Sequence, residues 1–153
     1  MHSFKKSAFT MIELIFVIVV LGILAAVAIP KFSATRTDAQ ISKARADISS
    51  IRAAIVSERQ GRLIQGDSSY INSLSSGTTT LFDGNGTSSS QLLMYGVKAG
   101  TSDGSWSTDS GGTPYVSYVY KIRGKSCNFT YNSTNGTFNL DAVQDAICSK
   151  LVD

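Results

Sequence analysis

The stretch K-K-S-A-F-T-M-I-E-L-I-F-V-I-V-V-L-G-I-L-A-A-V-A-I-P-K-F (Lys5–Phe32) decides how the rest of the chain is read. From Phe9 to Ile29 its one charged side chain is Glu13. As a helix this run is roughly 30 Å long, enough to cross the hydrocarbon core of a bilayer. Lys5 and Lys6 stand just before it, so the positive-inside bias places the N-terminus in the cytoplasm and the remainder outside. An unpaired charge inside such a helix costs about 3 kcal/mol. Glu13 therefore needs a reason.

Three readings of the run compete. A secretory signal peptide accounts for the basic start, the apolar core and an A-x-A at Ala26-Val27-Ala28. Its core is long for that purpose, contains Glu13, and would leave Ile29-Pro30 after the cut. An uncleaved single-pass anchor fits the length and leaves Glu13 unexplained. The third reading puts a cut between Ala8 and Phe9, on the cytoplasmic side of the run. The run then stays on the protein and Phe9 carries a new α-amino group. Glu13 lies one helical turn from that amine. A neighbouring copy's amine would give the carboxylate its positive partner, and only when subunits stack with a defined offset. Glu13 is then a registration device for assembly.

These residues resemble the N-terminus of type IV pilins and type II secretion pseudopilins. The likeness rests on the short basic leader, Phe9, Glu13, Gly22 and Pro30 at their spacings. It is strongest from residue 4 to about residue 60. The family usually carries glycine before the cut; here the residue is Ala8, which is also small. The resemblance implies that a membrane-embedded aspartyl prepilin peptidase cuts after Ala8 and N-methylates Phe9. It implies a homopolymer built by an inner-membrane platform with an ATPase, together with minor pseudopilins. It places the head in the periplasm and the filament in the periplasm or on the cell surface.

Pro30 lacks an N–H to bond the carbonyl of Ala26, and Gly22 adds backbone freedom. The segment between them is predicted to bend or unwind locally; in related filaments it is where subunits lose helix on assembly. Beyond Pro30 the pattern becomes amphipathic. Ile41, Ala44, Ile48, Ile51 and Ile55 recur at three- and four-residue spacing, and Lys43, Arg45, Asp47, Arg52, Glu58 and Arg59 take other positions. The helix is predicted to end near Gln60, before Gly61. A helix that long has an inner half that no small head can cover, which favours polymerisation over a lone stalk. Asp38–Ile55 is also similar to the same region of major pseudopilins.

The expected organisation is a leader over residues 1–8, a membrane and polymerisation helix over 9–30, its amphipathic continuation over 31–60, and a head over 61–153. Residues 61–114 are rich in Ser, Thr, Gly and Asp and read as loops, with short helices near Ser68–Leu74 and Ser90–Gly96. Tyr115–Ile122, Ser126–Asn132 and Thr137–Leu140 read as three antiparallel strands, the last two joined at Asn135-Gly136. Laid across the helix, they would bury the isoleucine stripe, an α+β fold of pilin type. Asp141 is predicted to open a short helix with Gln144 at the capping-box position and Val143, Ile147 and Leu151 on one side. The two cysteines, Cys127 and Cys148, are expected to form a disulfide in an exported domain, with two reduced core thiols as the alternative. A C-terminal disulfide is frequent in type IV pilins and not typical of the major secretion pseudopilins.

The 153 residues carry 14 basic and 11 acidic side chains, and the leader's Lys5 and Lys6 are two of the former. The basic balance is thus a weak argument for nucleic acid. The single histidine is His2, in the leader, so the mature chain has no imidazole for acid–base or metal work. No metal-ligand cluster or glycine-rich phosphate loop is evident, and no enzymatic role or cofactor is expected. Three weaker candidates remain. Asp103 and Asp109 lie in a glycine-rich stretch where major secretion pseudopilins bind calcium, but the acids are sparse. Asn85, in D-G-N-G-T, matches an acidic-x-Asn-x-Thr glycan acceptor, with a glycine turn as the plainer reading. Lys121, Arg123 and Lys125, beside Tyr118 and Tyr120, offer cations and aromatics to DNA, with a solvated strand face as the plainer reading.

Overall fold

The computed structural model describes residues 9–84, 91–109, 115–142 and 144–153, with Asp109 and Tyr115 described by backbone alone. Ala8, Asn85, Ser90 and Val143 lie outside the described residues. The chain divides into two units, one ending at Arg36 and one running from Thr37 to Asp153.

Helix α1 spans Met11–Ile64, 54 residues that begin in the first unit and end in the second. In the first unit every large apolar side chain from Phe9 to Phe32 is exposed. The helix is long and apolar enough to cross a membrane. A patch of this size is covered by something other than water in the working protein. Helix continues through Gly22 and Pro30, without the local unwinding expected between them. Pro30 removes one hydrogen bond from a ladder that continues on both sides, so the helix does not have to nucleate again. A Cβ at Gly22 would meet nothing within 4 Å, so packing within the subunit does not require glycine there.

In the second unit the predicted stripe is the buried one: Ala44, Ile48, Ile51 and Ile55 are core residues and Ile41 packs against them. The helix runs past Gln60 and Gly61 to Ile64. Its stop is Gly66, with φ +85°, where Asp67 N–H bonds Arg62 O and Gly66 N–H bonds Leu63 O. This is a Schellman ending, which needs a left-handed residue one position past the helix. Gly61 stays helical, so a glycine alone was a poor stop signal. Arg62 bridges the ending, pairing with Glu58 one turn back and with Asp67 at 3.3 Å.

Thr80–Leu81 (β1) and Val97–Lys98 (β2) form a small antiparallel ladder. Trp106–Asp109 (β3), Tyr115–Ile122 (β4), Lys125–Asn132 (β5) and Thr137–Leu140 (β6) form a four-stranded antiparallel sheet in the order β3-β4-β5-β6. The expected sheet had three strands. The addition is β3, whose Trp106 pairs with Tyr120 and is fully buried. Residues 68–74 and 91–96 form bends rather than the expected short helices. The first is anchored by the buried Ile71 and Leu74 and the second by the partly buried Leu92 and Leu93, and such anchors do not need a helical period. The β4–β5 turn is the two-residue Arg123-Gly124, with φ +50° and +70°, the type I′ geometry that matches strand twist. At the β5–β6 turn, a Cβ on Gly136 would lie 2.1 Å from the Tyr70 ring, so only glycine fits.

The sheet's inner face carries Tyr118, Tyr120, Ile122, Cys127, Phe129, Tyr131 and Phe138, all buried on the isoleucine stripe. Their hydroxyls find partners: Tyr120 donates to Gln40 O at 2.9 Å and Tyr131 to Ile71 O at 2.7 Å. Burial pushes the Tyr120 hydroxyl up to about 12 and raises that of Tyr131 further.

The C-terminal helix is shorter than expected. Helix α2 is Ala146–Ser149, capped by Asp145, whose Oδ1 accepts from Ile147 N–H. The side chains that were to open it bond β5 instead: Asp141 accepts from Thr130 Oγ1 at 2.7 Å and Gln144 from Asn128 N–H at 3.3 Å. Cys148 is joined to Cys127 by a disulfide, with a sequence separation of 21. Closing a loop of that length stabilises by about 3 kcal/mol in the chain-entropy model. Replacing both cysteines by serine is expected to lower the unfolding free energy of the detergent-solubilised chain by about that amount. A urea midpoint unchanged from the parent would contradict it.

Candidate assembly site and head surface

At the start of α1, Thr10 is the capping residue. Its Oγ1 accepts from Glu13 N–H at 3.3 Å, and its carbonyl accepts from Leu14 N–H at 3.2 Å. Glu13 occupies the first helical turn, where the partial positive charge of the helix end favours a carboxylate. The ion pairs among the described residues are Glu58–Arg62, Arg62–Asp67 and Lys125–Asp145, and Glu13 is in none of them. Phe9 is exposed beside it. The arrangement presents one carboxylate at the head of an uncovered apolar helix. Such a carboxylate can accept a cation from another chain.

Thr10 is a capping residue not singled out from the sequence above. The signal was present: T-x-x-E over Thr10–Glu13 is capping-box spacing ahead of an apolar run.

The head candidates fare differently. Lys121, Arg123 and Lys125 do gather at the β4–β5 turn, with Lys125 paired to Asp145 at 3.3 Å. Tyr118 and Tyr120 do not join them. Both rings are fully buried on the inner face, so neither can stack on a base. The proposed cation–aromatic surface for DNA is therefore not assembled. Asp103 Oδ1 accepts from Gly124 N–H at 2.9 Å and so fastens β3's approach to the same turn. The side chain of Asp109 lies outside the described residues. Among the described residues no three His, Cys, Asp or Glu side chains converge.

A family model for the prokaryotic N-terminal methylation motif matches residues 3–29. The type II secretion system core protein G of Pseudomonas aeruginosa is 40% identical over 55 residues, 36% of this chain and 39% of that protein. The matched part is thus well under half of either chain. No solved structure matches. The methylation motif, the long helix with its exposed apolar start and the antiparallel sheet on its second half are the features by which this chain is similar to the type IV pilin-like proteins that include the secretion pseudopilins.

Proposed function

We propose that this chain is a filament-forming pseudopilin subunit of a type II secretion-like system, cut between Ala8 and Phe9 and N-methylated at Phe9. The observation that carries the proposal is Glu13, held in the first turn of an uncovered apolar helix next to Phe9, inside the segment matching the methylation motif. In this reading residues 1–8 are a leader removed by a prepilin peptidase. The subunit waits in the inner membrane with its N-terminus in the cytoplasm, as Lys5 and Lys6 favour, and its head in the periplasm. An ATPase-driven platform and minor pseudopilins would add copies to a growing homopolymer. Gly22 and Pro30 would let the helix loosen on assembly.

A second reading, a type IV or competence pilin acting in adhesion, motility or DNA uptake, is favoured by the Cys127–Cys148 disulfide. Deleting the gene in its host separates the two. The expected result is loss of secreted proteins from the medium, read by proteomics, with transformation by added DNA intact. Normal secretion with lost transformation would transfer the chain to the second reading.

A further inference from the structure

The head carries two further surfaces. On one, Met94 and Tyr95 are 77% and 84% exposed, far more than any other aromatic or large apolar side chain among the described residues of the sheet and its adjoining loops. They sit on a held turn. Leu92 and Leu93 beneath them pack on the core, and Leu93 N–H bonds Phe82 O at 3.0 Å. Gly96 presses so closely on β1 that a Cβ would lie 2.4 Å from Thr80 Cγ2. On the other surface, Arg45, Ile48, Ser49, Arg52, Leu151 and Val152 line a groove of about 160 Å³, with Asp153 at the same rim. Arg45 Nε donates to Lys150 O at 2.7 Å and Arg52 Nε to Phe138 O at 3.0 Å, which holds both guanidiniums at the rim. The floor, Ile48 and Leu151, is apolar and buried.

The two surfaces are complementary. Two guanidiniums suit the face of a phenol ring, and this head already places Arg59 3.9 Å over the Tyr70 ring. The apolar floor suits a methionine, whose unbranched chain fills irregular gaps. Asp153 can accept from the phenol hydroxyl. The surfaces also lie at opposite edges of the fold. The turn belongs to the β1–β2 ladder, which adjoins the edge strand β3, whereas Arg52 bonds β6 at the other edge.

We propose that Met94 and Tyr95 of one copy seat in the Arg45–Arg52 groove of the next copy. Because the two patches differ, the contact is heterologous, and repeating it generates a ring or an open helical filament rather than a closed pair. The proposal rests on the filament reading. Two side chains bury a few hundred Å² at most, well below the roughly 1,000 Å² of a stable interface. The contact therefore sets how successive heads are turned, while the apolar helices supply most of the cohesion.

The test is disulfide cross-linking in the full-length chain assembled in its host. Tyr95→Cys is combined with Ser49→Cys, and in a second pair Met94→Cys with Val152→Cys; the natural cysteines are already bonded to each other. All four positions are exposed, and protease resistance of the head checks that each variant folds. The expected result after mild oxidation is a ladder of dimers, trimers and larger species from the paired variants and none from the single ones. Dimers from Tyr95→Cys alone would mean a symmetric contact and overturn the proposal. So would an adduct with a different protein in place of the ladder. Filaments visible by electron microscopy with no ladder from either pair would overturn the contact and leave the filament reading standing. A parent chain that forms no filament would remove both.

Discussion

Trp106→Ala is expected to cost the head about 3–5 kcal/mol, a large share of the stability of a domain this size. Trp106 has no exposed surface. Its ring lies 5.0 Å from Tyr120, 5.3 Å from Phe129 and 5.4 Å from Phe82, with Phe138 at 6.2 Å. Its Nε1–H donates to Asp47 Oδ2 on α1 at 3.0 Å. Alanine leaves a cavity among four rings and deprives a part-buried carboxylate of its donor. Trp106→Phe keeps most of the volume and loses the hydrogen bond to a charged group, about 1.5–3 kcal/mol. The two variants thus separate packing from the bond that ties the edge strand to the helix. Urea unfolding of the disulfide-intact chain reads both as a fall in midpoint at constant slope. A Trp106→Ala loss below 1 kcal/mol would mean that the tryptophan is not at the centre of this core.

Trp106 also shows why part of the fold was not legible in the sequence. In W-S-T-D it is the one apolar residue, set among glycines, serines and threonines, so β3 had no alternation to announce it. An edge strand pairs on one side only, and its partner β4 carries the pattern. By contrast, the isoleucine stripe repeats every three or four residues, and β4 and β5 alternate cleanly; both were readable and both pack as expected. That same alternation held the answer for the tyrosines. Tyr118 and Tyr120 are two residues apart and fall on one face, and Lys121 falls on the other. Grouping them as one surface overlooked the period of a strand. Helix endings carry the weakest signal. Gly61 and Gly66 look alike in the sequence, and only the left-handed conformation of Gly66 makes it the stop. The groove beside the C-terminus had no signal at all, since it joins residues 45–52 to residues 151–153.

Glu13→Gln and Glu13→Ala are both expected to leave the chain made and processed to Phe9 while reducing assembled filament at least tenfold. Two contributions of Glu13 differ in size. In the first helical turn its carboxylate gains about 0.3–1 kcal/mol from the partial positive charge of the helix end. As an unpaired carboxylate in an apolar run it costs a few kcal/mol, about 3 by insertion scales, so a subunit resting in the membrane gains by losing it. Only a partner outside the subunit turns that cost into a benefit. Under the proposed function an ion pair with the α-amino group of a neighbour's Phe9 would do so, and losing one member of a buried pair costs about 3–5 kcal/mol. That is more than enough for a tenfold effect, since about 1.4 kcal/mol corresponds to each factor of ten. Glutamine keeps the shape of glutamate and lacks the charge, so it removes the carboxylate's interactions and leaves the bond from the backbone N–H to Thr10 Oγ1 in place. Thr10→Ala removes the cap and leaves the charge, and is expected to reduce filament far less than either change at Glu13. The readout is pelleted filament by immunoblot, normalised to total subunit, with N-terminal sequencing to verify the cut. Normal filament in Glu13→Gln would mean that assembly does not need the carboxylate, and the offset between neighbouring subunits would then have to come from the apolar surfaces alone.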